Sequence, residues 1–545
     1  MRATIALVLA GAGTVAAQAQ TVRLAGSDST GPAVSADGRY VAYRTLDGLV
    51  AADTNGTYDI YVYDRTTGAV ALASVDSSGV VGNDGSHFPA IASDGHAVAF
   101  ASFATNLVAG DQNATIDVFV HDFGTGQTTC VSVTSGGATG NGMSIHSCID
   151  AAGLVVAFDS DAKNLVTGDS NGCTDVFVRD LTTGTTTRAS VDGKGNQGLG
   201  ASHAPAISAD GTRIAFGSVA QNLIPSDANR SIEDIYLRDT AAGTTELVSL
   251  DDQGLQALPG AWDPSISSDG SRVSFTAWNG VLPTQVNRGS DIILRDRAAA
   301  TTTLVSVTDA GVDGDEASMK SRISGDGTVV AFVSAADDLV GSDSNHVIDT
   351  FVRDLRGGYS QRVSVDDHGM EGDRDSDYLG SLSLDDAGVV IAYSSWATNL
   401  DGFEVDGLPD VYVRTRAPLL AQSSNYGAGW AGSLGIPSLA AATPPAFSTD
   451  VVVHASTSAT WWTLGFALVG ANPASIPTNL GGTLLVDILA VIPIAVGPGG
   501  ADFGGHLPDD TALYGGSAFL QVLELDAGAS DGVSFTPGLE LDFGR

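Results

Sequence analysis

Four stretches of this 545-residue chain carry the pattern Asp-x-Asn-x-x-x-Asp: Asp53, Asn55 and Asp59; Asp111, Asn113 and Asp117; Asp169, Asn171 and Asp175; and Asp343, Asn345 and Asp349. Three oxygen-bearing side chains at that spacing fit on one turn, and hard oxygen donors on a turn are the chemistry of a calcium (Ca2+) site. The same residues can instead hydrogen-bond a loop to itself through Asx turns, with no metal. An EF-hand is excluded although Asp64, Asp122, Asp180 and Asp354 fall at the twelfth loop position. Asp59 and Asp64 bracket an extended run, which separates them by roughly 16 Å at about 3.3 Å per residue.

A second set with chemical potential is His87, His146, His203 and Trp262, each just before an inner-strand motif in one of four successive repeats. Imidazoles and an indole rimmed by acids suit the mouth of a ligand site. They can equally serve to hydrogen-bond the loop. Two strings imitate catalytic motifs, a nucleophile elbow at 528–532 and a dinucleotide fingerprint at 427–432. Neither sits in the strand-turn-helix or βαβ setting its chemistry needs.

These residues must be held by a repeated unit. Gly38, Gly95, Gly153, Gly211, Gly270, Gly327 and Gly388 close tight turns at a spacing of about 58 residues, and a period that steady is one supersecondary unit. About 25 residues after most of these turns comes an Asp-aromatic-Arg-Asp strand, as at 234–239. Four strands are expected per unit, A to D, exemplified by 205–208, 213–218, 234–239 and 245–250. Strands B and C are apolar on both alternating sets of side chains, which requires cover on two faces. Face-to-face stacking of four-stranded sheets around an axis supplies it, so the fold expected is all-β, a seven-bladed β-propeller. The seventh unit ends at 412–414 without a D strand, and 21–25 resembles one. The N-terminal strand is therefore expected to complete the last blade and close the ring.

The formal net charge is −38, and the acid is nearly all Asp. Such a surface repels phosphate backbones, so no nucleic-acid partner is expected. Residues 1–19 combine Arg2, an apolar run and Ala17-Gln18-Ala19, the pattern of a signal peptide, which predicts export. The apolar run 484–496 is too short for a bilayer helix and contains Asp487 and Pro493, so no membrane insertion is expected. Cys130, Cys148 and Cys173 allow at most one internal disulfide.

The stretches 35–43 (SADGRYVAY), 208–216 (SADGTRIAF) and 267–275 (SSDGSRVSF), each followed by the second strand motif, resemble the WD40-like (PD40) repeats of TolB-type β-propellers. The resemblance covers roughly 21–418. It implies propeller architecture, a secreted or periplasmic address and a binding role. The residue before Asp-Gly departs from that pattern, being Ala, Ser or Gly instead of Pro, and the third unit has Ala151-Ala152-Gly153 at the turn.

After Arg416 the composition shifts to Ala, Gly, Pro and Leu, with a loop-like stretch at 417–445 and then five β-runs, which predicts a small β-sandwich over 419–545. Segments 426–439 and 532–541 resemble a C-terminal module of uncharacterised secreted bacterial proteins, notably planctomycete ones. That resemblance implies export or surface attachment. Trp461 and Trp462 are a candidate carbohydrate platform, with one of the pair expected in the core. The function expected is a secreted, non-catalytic binding or scaffolding protein with a protein or glycan ligand. The alternative is a hydrolase or lyase acting on polysaccharide or peptide at the channel mouth.

Overall fold

The computed structural model describes residues 21–24, 28–111, 113–341, 343–376, 382–401, 407–416, 422–426, 431, 434, 436–441, 450–457, 462–478, 483–506, 517–527, 529 and 533–542. The expected signal peptide lies outside them, as do Trp461 and nearly all of the two motif-like strings. The chain divides into Gln20–Thr415 and a C-terminal unit starting at Arg416.

All described regular structure is β. In the first unit, successive antiparallel four-stranded sheets follow the repeat, the second being Ser86–Ile91, Ala97–Ser102, Asp117–Asp122 and Gln127–Cys130 in the spatial order A-B-C-D. Seven such sheets are present among the described residues. In the last of them Thr21–Arg23 pairs antiparallel with Asp410–Thr415, with Val22 opposite Val413. Strand B of the second sheet, Ala97–Ser102, is buried at every position, as a strand covered on both faces must be.

The cover comes from the neighbouring sheets. One core cluster joins Ala42, Ile60 and Val62 of the first sheet to Val98, Phe100 and Phe119 of the second. Equivalent clusters join each successive pair, and one joins Val41, Tyr43 and Tyr61 of the first sheet to Ala392, Val411 and Val413 of the last.

The Asp-Gly turns fix the inner hairpins. Ser35 Oγ donates to Asp37 at 2.6 Å and accepts from Tyr40 N–H at 2.9 Å, while Asp37 also accepts from Arg39 N–H. Gly38 has φ 71°, and a Cβ there would fall 2.6 Å from Val390 Cγ2 of the last sheet, so only glycine fits. The third unit solves the same problem without Asp-Gly. Asp150, one residue before Ala151, accepts from Leu154 and Val155 N–H.

Two repeated contacts stitch sheet to sheet. On the outer side, a D-strand hydroxyl donates to the preceding sheet's connection: Thr128 to Val75 O, Thr186 to Val133 O, Thr302 to Leu250 O and Ser360 to Val307 O, at 2.5 to 2.8 Å. Thr21 makes the same bond to Val365 O at 2.7 Å. On the inner side, the A-B turns are linked main chain to main chain: Ala36 to Ser93, Ser93 to Ala151, Ala151 to Ala209, Ala209 to Ser268, Ser268 to Gly325, Asp326 to Asp386, and Asp386 to Ala36.

The A strands begin earlier than the sequence suggests. In the fourth sheet strand A is Ser202–Ile207, pairing Ser202 with Ser218 and His203 with Gly217 before a register shift and then Ala206 with Ala215. The shift is a β-bulge whose residue has positive φ in six sheets: Gly31, Phe88, His146, Ala204, Asp263 and Lys320.

The C-terminal unit has one sheet containing Gln422–Tyr426, Thr463–Pro477, Thr483–Val496, Ser517–Leu525, Val533–Phe535 and Gly538–Asp542, and a second of Leu439–Ala441, Asp450–Ala455 and Ala501–His506. Both sheets feed one core, with Leu439, Val453 and Phe503 against Val469, Val496, Val522 and Leu541. That is sandwich packing. The stretch expected to be loop contains two short strands, Gln422–Tyr426 and Leu439–Ala441. Sequence periodicity misses these because each is too short to show an alternation.

Candidate functional site

The Asp-x-Asn-x-x-x-Asp loops run from strand B to strand C, and the last Asp opens strand C. Asp59, Asp117, Asp175 and Asp349 are fully buried. Each accepts from a D-side serine hydroxyl, Ser74, Ser132, Ser190 and Ser364 respectively. The serine oxygen in turn accepts the next backbone N–H of strand C, as from Val118 at 3.1 Å.

The asparagines point their nitrogens, not their oxygens, at these carboxylates. Asn55, Asn113, Asn171 and Asn345 donate Nδ2 to Asp59, Asp117, Asp175 and Asp349 at 2.6 to 3.0 Å. The same nitrogen donates to a carbonyl 27 residues on, Gly82, Gly140, Gly198 or Gly372, at 2.8 to 2.9 Å. Each Oδ1 accepts the N–H two residues ahead. The geometry is that of a staple between the B-C loop and the connection leading to the next sheet.

What faces the first acid differs from sheet to sheet. Asp53 accepts from Tyr61 OH. Arg188 lies 3.2 Å from Asp169 and 3.5 Å from Asp175. Arg362 lies 2.9 Å from Asp343 and 3.3 Å from Asp349. Asp111 faces no tyrosine or arginine and accepts the Asn113 backbone N–H; its Oδ1 is buried without a hydrogen bond, as is one oxygen each of Asp169, Asp227 and Asp343. Burial raises these carboxyls, taking Asp59, Asp117 and Asp343 up to about 6, and lifts Asp111, Asp175 and Asp349 as well. Among the described residues no group of three or more His, Cys, Asp or Glu is arranged to hold a metal. Cys130, Cys148 and Cys173 are free thiols.

The His/Trp set lies inside the A strands, not ahead of them. His87, His203 and Trp262 occupy the position before the bulge, but the residue matching them in the third sheet is Ile145. His146 is one place later, at the bulge with Phe88 and Ala204. The bulge adds a residue that linear alignment cannot register.

His87 Nδ1 is 2.8 Å from Arg44 NH1, and its ring packs near Tyr58 and Phe103. Burial, reinforced by Arg44, lowers its pKa to about 4, so it is neutral at pH 7. His146 stands 5.1 Å from the Phe88 ring, and its Nδ1 is 2.9 Å from Asp159. His203 Nε2 pairs with Glu233 at 2.9 Å, which raises its pKa. Trp262 and Trp278 are 5.3 Å apart.

The sequence reading missed the C-terminal end of strand B. Trp278 ends its strand B and Phe103 and Trp396 directly follow theirs, and the backbone N–H of each donates to a carbonyl across from it, Gly85 for Phe103, Gly260 for Trp278 and Asp375 for Trp396. Phe88, Phe103 and Trp278 are 45%, 43% and 53% exposed. Trp396 lines an open cavity of about 420 Å³ with Val347, Asp373, Arg374 and Asp375. The signal was present in the aromatic that ends each of 100–103, 275–278 and 393–396, which aligning the B strands exposes. In the C-terminal unit, Trp462 is exposed and packs beside Gly497.

No protein-family model matches the chain, and no curated protein matches it. Solved structures do. It is similar to a TolB of Agrobacterium tumefaciens, at 15% identity and TM-score 0.33 over 51% of this chain and 80% of that one. The Dos1 propeller matches at 10% identity and TM-score 0.37, covering 73% and 94%. A puromycin-hydrolyzing peptidase of Mycobacterium tuberculosis matches at 12% identity and TM-score 0.42, covering 78% and 57%. At these scores the functional reading rests on the chain's own residues.

Proposed function

We propose that the chain is an exported, seven-bladed propeller closed by its N-terminal strand, and that it binds a protein or glycan segment on the face where its B-C loops emerge. The binding role is carried by one observation: exposed aromatic side chains recur at the same end of the sheets, in one group of Phe88 against His146 and Phe103 beside His87, and in another of Trp278 beside Trp262. Aromatic faces pack on sugar rings or apolar side chains, and nearby carboxylates such as Glu233 and Asp263 accept hydrogen bonds from hydroxyls or amines. The strongly acidic surface favours neutral or cationic ligands over anionic ones. Closure is supported by Thr21, which bonds as the other D-strand hydroxyls do, and by the A-B turn hydrogen bonds, which return to Ala36. Export rests on residues 1–19. No helix among the described residues is long and apolar enough to cross a membrane.

Probing glycan and peptide arrays with the mature chain and with Phe103→Ala and Trp278→Ala variants tests the reading. A second reading, hydrolysis or elimination at the same mouth, is favoured by the His203–Glu233 pair, a proton donor beside a carboxylate. Turnover of an array ligand that is lost in His203→Ala or His146→Ala, with binding retained, replaces the binding role by the catalytic one.

A further inference from the structure

The repeats form a natural substitution series at one position. The last D-strand residue, opposite the C-strand aromatic or its counterpart, is Leu72, Cys130, Arg188, Leu247, Leu304, Arg362 and Arg23 in sheets one to seven. Where it is arginine, the guanidinium sits against the acids of the B-C loop: Arg188 on Asp169 and Asp175, Arg362 on Asp343 and Asp349, and Arg23 on Asp410 at 3.0 Å. Where it is leucine, a neutral donor substitutes. Tyr61 OH serves Asp53. Gln256 Nε2 serves Asp227 and Asp234 at 2.9 and 2.8 Å. Gln285 and Asn287 serve Asp291, both at 2.9 Å.

The second sheet has neither. Phe119 replaces the tyrosine and Cys130 replaces the arginine. Asp117, 0% exposed, receives only Asn113 and the Ser132 hydroxyl. Asp111 is 8% exposed and accepts only the Asn113 backbone N–H; its Oδ1 has no hydrogen-bond partner, as holds for one oxygen of Asp169, Asp227 and Asp343, but those acids also have Arg188, Gln256 or Arg362 against them. Two buried carboxylates without a compensating charge are costly to hold ionised.

We propose that the second sheet binds one divalent hard cation, calcium, between Asp111 and Asp117, in the place that arginine fills in the third, sixth and seventh sheets. Carboxylate oxygens supply the charge, and main-chain carbonyls and water complete the shell, a mixture that calcium accepts and that smaller, stricter magnesium does not. The assignment narrows the four sequence-derived loops to one. Asp169 with Asp175 and Asp343 with Asp349 already hold a tethered cation, and Asp53 holds a phenol.

The test is thermal unfolding of the full mature chain in EDTA and in 1 mM calcium, with calorimetry for stoichiometry. Wild type takes up one equivalent, and its midpoint rises by about 3 °C or more. Asp111→Asn abolishes the rise, and Asp343→Asn leaves it intact. Cys130→Arg, which supplies the missing guanidinium, raises the midpoint in EDTA and no longer responds to calcium. If that variant does not fold, the two asparagine variants decide. No calcium response in wild type, an equal loss in Asp343→Asn, or a response to zinc in place of calcium each overturns the proposal.

Discussion

The backbone N–H of Asp386 donates to the carbonyl of Ala36 at 3.0 Å, joining two turns 350 positions apart. It is one of seven bonds between successive A-B turns, six of which donate from the matching residue and one, Asp326 to Asp386, from the next. The turns are held alike by different side chains, a Ser-Asp pair as at Ser35 and Asp37 or a single carboxylate as at Asp150 and Asp385, so they present their N–H and C=O in similar directions. A repeated local geometry thus becomes a chain of main-chain bonds that runs through all seven turns and returns to Ala36.

If the N-terminal strand completes the seventh sheet, its removal must cost more than a frayed end. Thr21 N–H donates to Asp367 at 2.6 Å, its hydroxyl donates to Val365 O, and Arg414 NH1 donates to that hydroxyl at 2.7 Å. Thr21→Val removes the buried hydroxyl and should cost about 1–3 kcal/mol. Deleting residues through Arg23 should lower the unfolding midpoint further. A deletion variant that melts with wild type would show that the strand is ornamental.

The asparagine staple should behave as a buried structural hydrogen-bond hub. Asn287 donates Nδ2 to Asp291 and to Gly314 O and accepts from Gly289 N–H at 2.8 Å. Asn287→Ala should destabilise by about 2–4 kcal/mol in urea unfolding, since it strands buried partners. An effect below about 0.5 kcal/mol would contradict the staple.

Asp234 gives a pH signature. Burial lifts its carboxyl from 3.8 to about 6, against the hydrogen bonds from Ser249 and Gln256. A carboxyl that holds its proton more tightly when folded contributes stability that is complete below about pH 4 and is lost as pH rises through about 6. The midpoint difference between wild type and Asp234→Asn should therefore shift against wild type across that window. A constant difference from pH 4 to 7 would contradict it.

The two histidines before the bulge should titrate in opposite directions. His203 is raised by Glu233, and His87 is lowered to about 4 by burial and Arg44. NMR of histidine-labelled protein should find His87 neutral throughout the range above pH 5. Glu233→Gln should bring His203 down toward 6.5, and an unchanged His203 would mean that the pair is not formed in solution.

The repeat was legible because glycine is obligatory where φ is positive and side chains crowd, as at Gly38, so its period marks the sheets. Which face of a loop residue does the work was not. Asp-x-Asn-x-x-x-Asp has the same spelling whether Asn offers oxygen to a metal or nitrogen to Asp117. The choice is made by Gly140 O, 27 residues further on. Arg188, which decides whether Asp169 and Asp175 need a cation, comes from the D strand and enters only through sheet pairing. The bulge at His146 displaced it from the register of His87, a shift of one residue that no periodicity carries. Phe103, Trp278 and Trp396 fall where an apolar strand gives way to its loop, so in the linear sequence each reads as one more core residue of strand B.

The most direct test of the binding role is array binding by wild type against the Phe103→Ala, Trp278→Ala double variant, both confirmed to be folded by circular dichroism. Aromatics this exposed are anchors, so wild type should recognise a discrete set of neutral glycans or neutral-to-basic peptides, and the double variant should lose at least 10-fold in affinity for them, about 1.4 kcal/mol. Array signals unchanged in the variant, or none above an unrelated acidic control, would contradict the proposed role of this face.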